Sequence, residues 1–381
     1  METVSLIKVA SYQDDLKAKI LEALLPFGGL GLICKPGDRV LIKPNFIMAR
    51  SVASAATTHP AIITALVSLL VDHGCEVAVG DSPGLGNSIG VVRKLGLCEI
   101  FQKYQVKVVE LETAAAIDPN QELPFARRFK NLQLARELSE FDKIINLPKL
   151  KSHGQMGITL AIKNLFGCVA GPAKGQWHFA AGRDFRAFAR LLIEIAFTVK
   201  ADIHLLDGIV GMDGNGPSNG RPRQLNILAA SDNPVALERV VVELIGKKPE
   251  QFPVLEVARE LLLPGSDFGE IKIWGEPLES FVIDDFQIPP LLRLDLVFNK
   301  PLSRVVEYLI KQRLVLNKKI CIKCRECEIH CPAKAISFRE NFRINDNKCL
   351  KCCCCQELCP VGALKISDPW LLKLARFLKI I

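Results

Sequence analysis

Apolar and polar positions follow two rhythms along the first two thirds of the chain. Short runs rich in β-branched residues read as strands: VSLIKV (4–9), VLIKPNF (40–46), EVAVGD (76–81), VKVVEL (106–111), KIINL (143–147), IHLLDGIV (203–210) and NILAAS (226–231). Between them, apolar residues recur at helical spacing in HPAIITALVSLLVDHG (59–74), DFRAFARLLIEIAFTVKA (184–201) and NPVALERVVVELIG (233–246). Strands alternating with helices predict an α/β domain over residues 1–285, an open, mostly parallel sheet covered by helices.

The rhythm breaks near residue 285. Residues 286–317 hold paired prolines at 289 and 290 and the basic amphipathic stretch LSRVVEYLIKQRLVL, and read as a connector. Residues 318–367 read as a small C-terminal α+β domain. The last stretch, DPWLLKLARFLKII (368–381), predicts a short helix with Asp368 as N-cap and Pro369 at its first position. Its apolar face suits packing on the α/β domain, the favoured reading, or a peripheral membrane contact through 369–381.

Composition adds little to this picture and charge adds more. With 381 residues, 49% of them hydrophobic and 24% charged, the chain can bury a full core without disulfides. The net charge of +8 is uneven: residues 287–381 carry 18 Lys and Arg against 8 Asp and Glu, and residues 1–286 carry 31 against 33. No recognition motif accompanies the basic part, which speaks against nucleic acid. An acidic redox partner protein, an anionic lipid surface or a negatively charged cluster suits it equally. The N-terminus shows no secretory pattern. No uncharged apolar run reaches the ~18 residues of a spanning helix. The chain therefore reads as a soluble, cytoplasmic protein, in which dense cysteines indicate metal or redox chemistry rather than disulfides.

Ten of the 14 cysteines lie between Cys321 and Cys359. The segment CIKCRECEIHCPAKAISF (321–338) matches CLKCCCCQELCPVGALKI (349–366) at a constant offset of 28. Each half contains CxxCxxCxxxCP, the spacing in which three thiolates wrap one iron-sulfur cubane and a fourth, redirected before proline, reaches another. Zinc also binds CxxC pairs, but two complete runs each followed by proline weigh against it. The spacing predicts two 4Fe-4S clusters, one on Cys321, Cys324, Cys327 and Cys359 and one on Cys349, Cys352, Cys355 and Cys331. Cys353 and Cys354 are left as non-ligands, and Cys34, Cys75, Cys98 and Cys168 as structural thiols. Residues 318–367 resemble the bacterial two-cluster 4Fe-4S ferredoxin module, and the resemblance implies transfer of single electrons.

In the α/β domain, candidate chemistry gathers at the carboxyl ends of predicted strands, where open parallel sheets place their sites. Lys43 and Asn45 follow VLI; Asp81 and Gly84 open the turn DSPGLG; Lys149, Lys151 and His153 follow KIINLP; Asp207 follows IHLL. Lys163 lies four residues after Thr159 on a predicted helix, which places the two on one face. The turn GDSPGLG can present free amides to an anion, yet it is neither a P-loop nor a GxGxxG fingerprint. These groups make an anion site, with Lys43, Asn45, Asp81, Gly84, Lys149 and Asp207 as binding candidates and His153, Lys151 and Lys163 as catalytic ones.

The motifs KPN, TTHPAIITALVSLLVDHG, VAVGDSPG, INLPKLKSHGQMGITLAIKNLFGC, DGIVGMDGNGPSNG and SDNPVALE, in this order, resemble the domain-of-unknown-function 362 family over roughly residues 5–250. Members often carry a 4Fe-4S ferredoxin domain, so the resemblance supports the architecture more than an activity. One departure is Ala236-Leu237-Glu238, where the family has Ala-Leu-Asp. The combined expectation is an iron-sulfur oxidoreductase of the ferredoxin-type reductase kind. Electrons would pass between the cluster module and an α/β domain that binds an anionic small molecule. The alternative is a non-catalytic electron carrier or an assembly and docking protein.

Overall fold

The computed structural model describes all residues except 119, 172, 282, 284, 290–312, 339–340 and 368–381. The C-terminal helix with its membrane contact at 369–381 lies outside the described residues, as does most of the 286–317 connector. Among the described residues, ten strands form one sheet: β1 (Glu2–Lys8), β2 (Arg39–Pro44), β3 (Glu76–Asp81), β4 (Lys107–Glu110), β5 (Lys143–Leu147), β6 (Lys149–His153), β7 (Gly157–Thr159), β8 (Ile203–Asp213), β9 (Arg221–Ser231) and β10 (Ile271–Gly275). Their order is β10-β1-β9-β8-β5-β2-β3-β4, with β6 continuing beside β8 and β7 beside β6.

The sheet is mixed. Neighbours from β8 through β5, β2 and β3 to β4 run parallel, whereas β9 runs antiparallel to both β8 and β1. The cause is the connection at residues 214–220. A parallel return needs a crossover of about a dozen residues or more, and this loop is too short, so β8 and β9 form a hairpin. Pro148 separates β5 from β6, and KLKSH, expected in a loop, is a strand paired with the overhang of β8.

Alternation along each strand feeds two apolar layers. Val40 and Ile42 face the helices Leu16–Leu24 and Pro60–Asp72, while Leu41 faces Phe185–Val199 and Pro234–Leu244. These helices start where side chains satisfy their free amides. Asp184 accepts from Arg186 N at 2.9 Å and Ala187 N at 3.0 Å, and Asn233 accepts from Val235 N at 2.8 Å ahead of Pro234. No helix among the described residues is long and apolar enough to cross a membrane.

The cysteine-rich segment preserves its duplication in the backbone. Lys323 and Lys351 share φ of 56° and 57°, Arg325 and Cys353 share 64° and 63°, and short helices follow at Glu326–Ile329 and Cys354–Glu357. Two two-stranded ribbons, Arg313–Leu316 with Leu364–Ser367 and Ile336–Ser337 with Arg343–Ile344, complete it. It is not a ferredoxin-like domain set apart from the rest, because polar contacts seal it to the α/β body. Arg50 donates to Cys359 O at 2.9 Å, Asn219 to Gln356 O at 3.1 Å and Arg183 to Cys349 O at 2.9 Å. Gly154 allows the approach, since a Cβ there would stand 3.0 Å from Cys353 Sγ.

Candidate functional site

At the carboxyl ends of β2 and β3 lies a cavity of about 340 Å³, walled on one side by the α/β body and on the other by the cysteine-rich segment. Its size is that of a small-molecule site. Asn45, Gly84, Lys151, His153 and Lys163, all sequence candidates, line it together. Thr159 also lines it, from β7 rather than from the helix of Lys163, so the two meet in the cavity without sharing a helical face.

Lys43 and Asp81 lie behind this wall as a buried ion pair at 2.8 Å. Phe46 N and Ser82 N each donate to the Asp81 carboxylate at 2.8 Å, which satisfies it at both oxygens. Lys149 and Asp207 form a second pair at 2.8 Å, closed by Tyr12, whose hydroxyl donates to Asp207 Oδ1 at 2.8 Å. Tyr12 stacks on His59 at 3.5 Å between ring centroids. Burial and the Asp207 charge push the Tyr12 phenol far above its ordinary value. These four charged candidates are placed to brace the site, and none of them lines the cavity.

The alternation of β6 puts Lys149, Lys151 and His153 on one face of the strand. Lys151 is fully buried and donates to Asn45 Oδ1 and Ala56 O, both at 2.7 Å, and burial lowers its ammonium from 10.5 to about 7. Asn45 Nδ2 donates to Asn164 Oδ1 at 2.9 Å, and Asn164 Nδ2 donates to Asn146 Oδ1 at 2.8 Å. Lys163 Nζ has no hydrogen bond or ion pair among the described residues; it lies 5.3 Å from the Phe166 ring centroid and 5.9 Å from that of Phe188.

His153 accepts at Nδ1 from Gln155 N at 3.0 Å and Met156 N at 3.1 Å, so its proton sits on Nε2. That nitrogen lies 2.7 Å from Glu357 Oε1, a close contact that lacks hydrogen-bond alignment. Burial lowers His153 and keeps it neutral. Burial alone would raise Glu357, but the adjacent His153 ring and the Lys163 charge hold it well below the usual carboxylate range. Lys174, whose ammonium contacts Ser82 O, is lowered by burial to about 8. Sequence reading missed Lys174, Asn164, His178 and Glu357. The polar run KGQWH after the candidate helix signals Lys174 and His178; no local pattern ties Glu357 to His153.

The cysteines require a correction. Among the described residues, the group of three or more His, Cys, Asp or Glu donors whose ligand atoms lie within 4.8 Å of one another is His178, Cys352 and Cys354. It joins Cys352 to Cys354, a presumed non-ligand, and to a histidine from the α/β body. Among the described residues the remaining thiols form no group within that distance, although Cys321, Cys324, Cys327 and Cys359 line one small cavity and, after burial itself, the other three help push Cys327 up to about 11. Spacing orders thiols along a loop but does not set where their sulfurs converge. The two 4Fe-4S clusters on Cys321, Cys324, Cys327, Cys359 and on Cys349, Cys352, Cys355, Cys331 are therefore not supported. With them go the ferredoxin assignment, the electron-transfer and oxidoreductase role, its carrier or docking alternative, and the redox partner protein.

Fold and site together define a three-layer α/β protein with a lysine-walled cavity at the carboxyl ends of its strands. Residues 40–243 match the model of the family described as Domain of unknown function (DUF362), and the chain belongs to that family. It is 35% identical over 294 residues to "Thylakoid-associated protein sll1697" of Synechocystis sp., a match spanning 77% of this chain and 89% of the relative. The lactate racemase apoprotein from Thermoanaerobacterium thermosaccharolyticum aligns over 62% of this chain and 56% of its own, with a TM-score of 0.40 and 14% identity. A Thermotoga maritima protein aligns over 55% of this chain and 54% of its own, with a TM-score of 0.36 and 16% identity. The chain thus spans little more than half the length of these two structures.

Proposed function

We propose that the cavity binds a small organic or inorganic anion, a carboxylate or a phosphate, with Lys163 as its primary contact. The observation that carries this reading is the Lys163 ammonium, which faces the cavity with no counter-charge bonded to it among the described residues. Two more lysines, Lys151 and Lys174, line the same space, against a single carboxylate, Glu357, among the described lining residues. Fixed ammonium groups in a partly desolvated cavity attract an anion more strongly than exposed ones. The His153 Nε2–H can donate to the bound anion once Glu357 yields the position. Lys43–Asp81 and Lys149–Asp207 hold the wall in place.

Isothermal titration with inorganic phosphate and with malonate tests this. Wild-type protein binds at least one of the two, and Lys163→Met weakens that binding about tenfold or more, the scale of a lost charge-assisted hydrogen bond. Lys17→Met, at an exposed surface pair with Asp72, leaves binding unchanged. Equal affinity of wild type and Lys163→Met, or no binding of either anion, would refute the reading.

A further inference from the structure

His178 lines the cavity wall and has no part in the anion reading. It sits on the helix Ala173–Ala181 and is 5% exposed. Its plane is fixed by stacking on Phe188 at 4.3 Å and an edge contact to Phe166 at 5.4 Å. Its buried Nδ1 has no hydrogen-bond partner among the described residues. A buried imidazole held rigidly with an unsatisfied nitrogen calls for an explanation. From the facing segment come Cys352 and Cys354, on either side of Cys353, where the chain takes a left-handed turn with φ of 63°. One histidine nitrogen and two sulfurs come within 4.8 Å of one another, contributed by two segments far apart in sequence.

We propose that His178, Cys352 and Cys354 form a mononuclear site for a soft divalent cation, zinc in the first place, at the cavity wall. Two thiolates and one imidazole are the donor set of open zinc centres, in which a fourth position is left to water or a ligand. Zinc–sulfur bonds of about 2.3 Å and zinc–nitrogen bonds of about 2.0–2.1 Å put donors about 3.5 Å apart in a tetrahedron, so side-chain rotation suffices to close the site. Loading releases two thiol protons as two zinc–sulfur bonds form, and the two thiolate charges balance the cation. Soft sulfur donors exclude magnesium and calcium. Glu357 faces the same region and favours a cation, whereas Lys163 opposes one. The site goes beyond anion binding and stands or falls separately from it.

The test is metal and acid-labile sulfide analysis of the full chain purified without oxygen, followed by zinc competition against a chromophoric chelator. Wild type is expected to hold about one zinc per chain. His178→Ala and Cys354→Ser each weaken zinc binding by more than about 100-fold, beyond the loss typical of outer-shell changes, with unchanged circular dichroism. Cys353→Ser keeps full affinity. Should Cys354→Ser fail to fold, cobalt substitution decides: a thiolate-to-cobalt charge-transfer band present in wild type and weakened in His178→Ala supports the site. Zinc content unchanged in both ligand variants, or native protein holding iron with acid-labile sulfide in place of zinc, overturns it.

Discussion

Replacing Lys151 with methionine separates what this residue does for function from what it costs the fold. The ammonium is completely buried, with two neutral acceptors and no carboxylate bonded to it. Its fall from 10.5 to about 7 means that the folded state holds this proton less tightly than the unfolded chain does. Integrating between the two values gives a penalty of about 4 kcal/mol at neutral pH. Methionine has similar length and removes the penalty, but it deprives Asn45 Oδ1 and Ala56 O of their donor, at about 1–3 kcal/mol each. The two effects nearly offset near pH 7, so a single stability measurement there is uninformative. The pH dependence is decisive. Wild type binds fewer protons than its unfolded chain between about 7 and 10.5, so its stability rises with pH across that window. Relative to Lys151→Met it gains about 2 kcal/mol from pH 7 to pH 9. Urea denaturation at several pH values, with m constant, reads this gap. Parallel stability profiles for the two proteins would show that Lys151 is not the buried, weakly held proton described above.

Gly167→Ala tests the Lys43–Asp81 brace. Helix propensity alone favours alanine by about 1 kcal/mol, yet a Cβ at this position would overlap Asp81 Oδ1 and stand 2.6 Å from Lys43 Nζ. The carboxylate is held by two backbone amides, so breaking the pair costs about 3–5 kcal/mol; a loss under 1 kcal/mol in urea denaturation would count against the brace. Glu238, fully buried and accepting from Ile162 N at 2.9 Å, is pushed up by burial from 4.5 to about 8 and is protonated near neutrality. The folded state therefore binds this proton more tightly, and wild type loses stability as pH rises from about 5 to 8. Glu238→Gln does not lose it and gains about 3 kcal/mol on wild type over that range in denaturant melts. Anion affinity in titrations falls as pH rises through about 7 to 8, where Lys151 and Lys174 lose charge; affinity flat from pH 6 to 9 contradicts their part in binding.

Strand positions were the most legible part of the molecule, because buried β-branched runs have few alternatives. EVAVGD and KIINL are β3 and β5 with the expected ends. Strand direction was less legible: NILAAS is the end of an 11-residue strand that starts at Arg221, and only the brevity of the 214–220 turn signals its antiparallel course. At the site, lysines and a histidine near strand ends could be recognised by type. Which of them pair internally could not, since Lys43 and Lys149 find their carboxylates 38 and 58 residues away. Glu238 shows the same limit: its longer arm reaches Ile162 N and not the cavity. The cysteine register was the most regular signal in the chain, and its duplication survives in the backbone. Yet the compact donor group depends on a histidine that no spacing rule could have paired with it.

The carboxylate facing His153 has a consequence for how the molecule comes into being. Synthesis proceeds from the N-terminus and domains tend to form as they emerge. The sheet has all ten strands once Gly275 has been made, whereas Glu357 is added 82 residues later. During that interval the lysines of the cavity have no acidic neighbour among the described lining residues, and one wall is missing. The nascent protein is therefore at its most electropositive and most accessible at this place just before it is finished. A free anion in the cell can occupy the half-built site before the chain's own carboxylate arrives to compete for it.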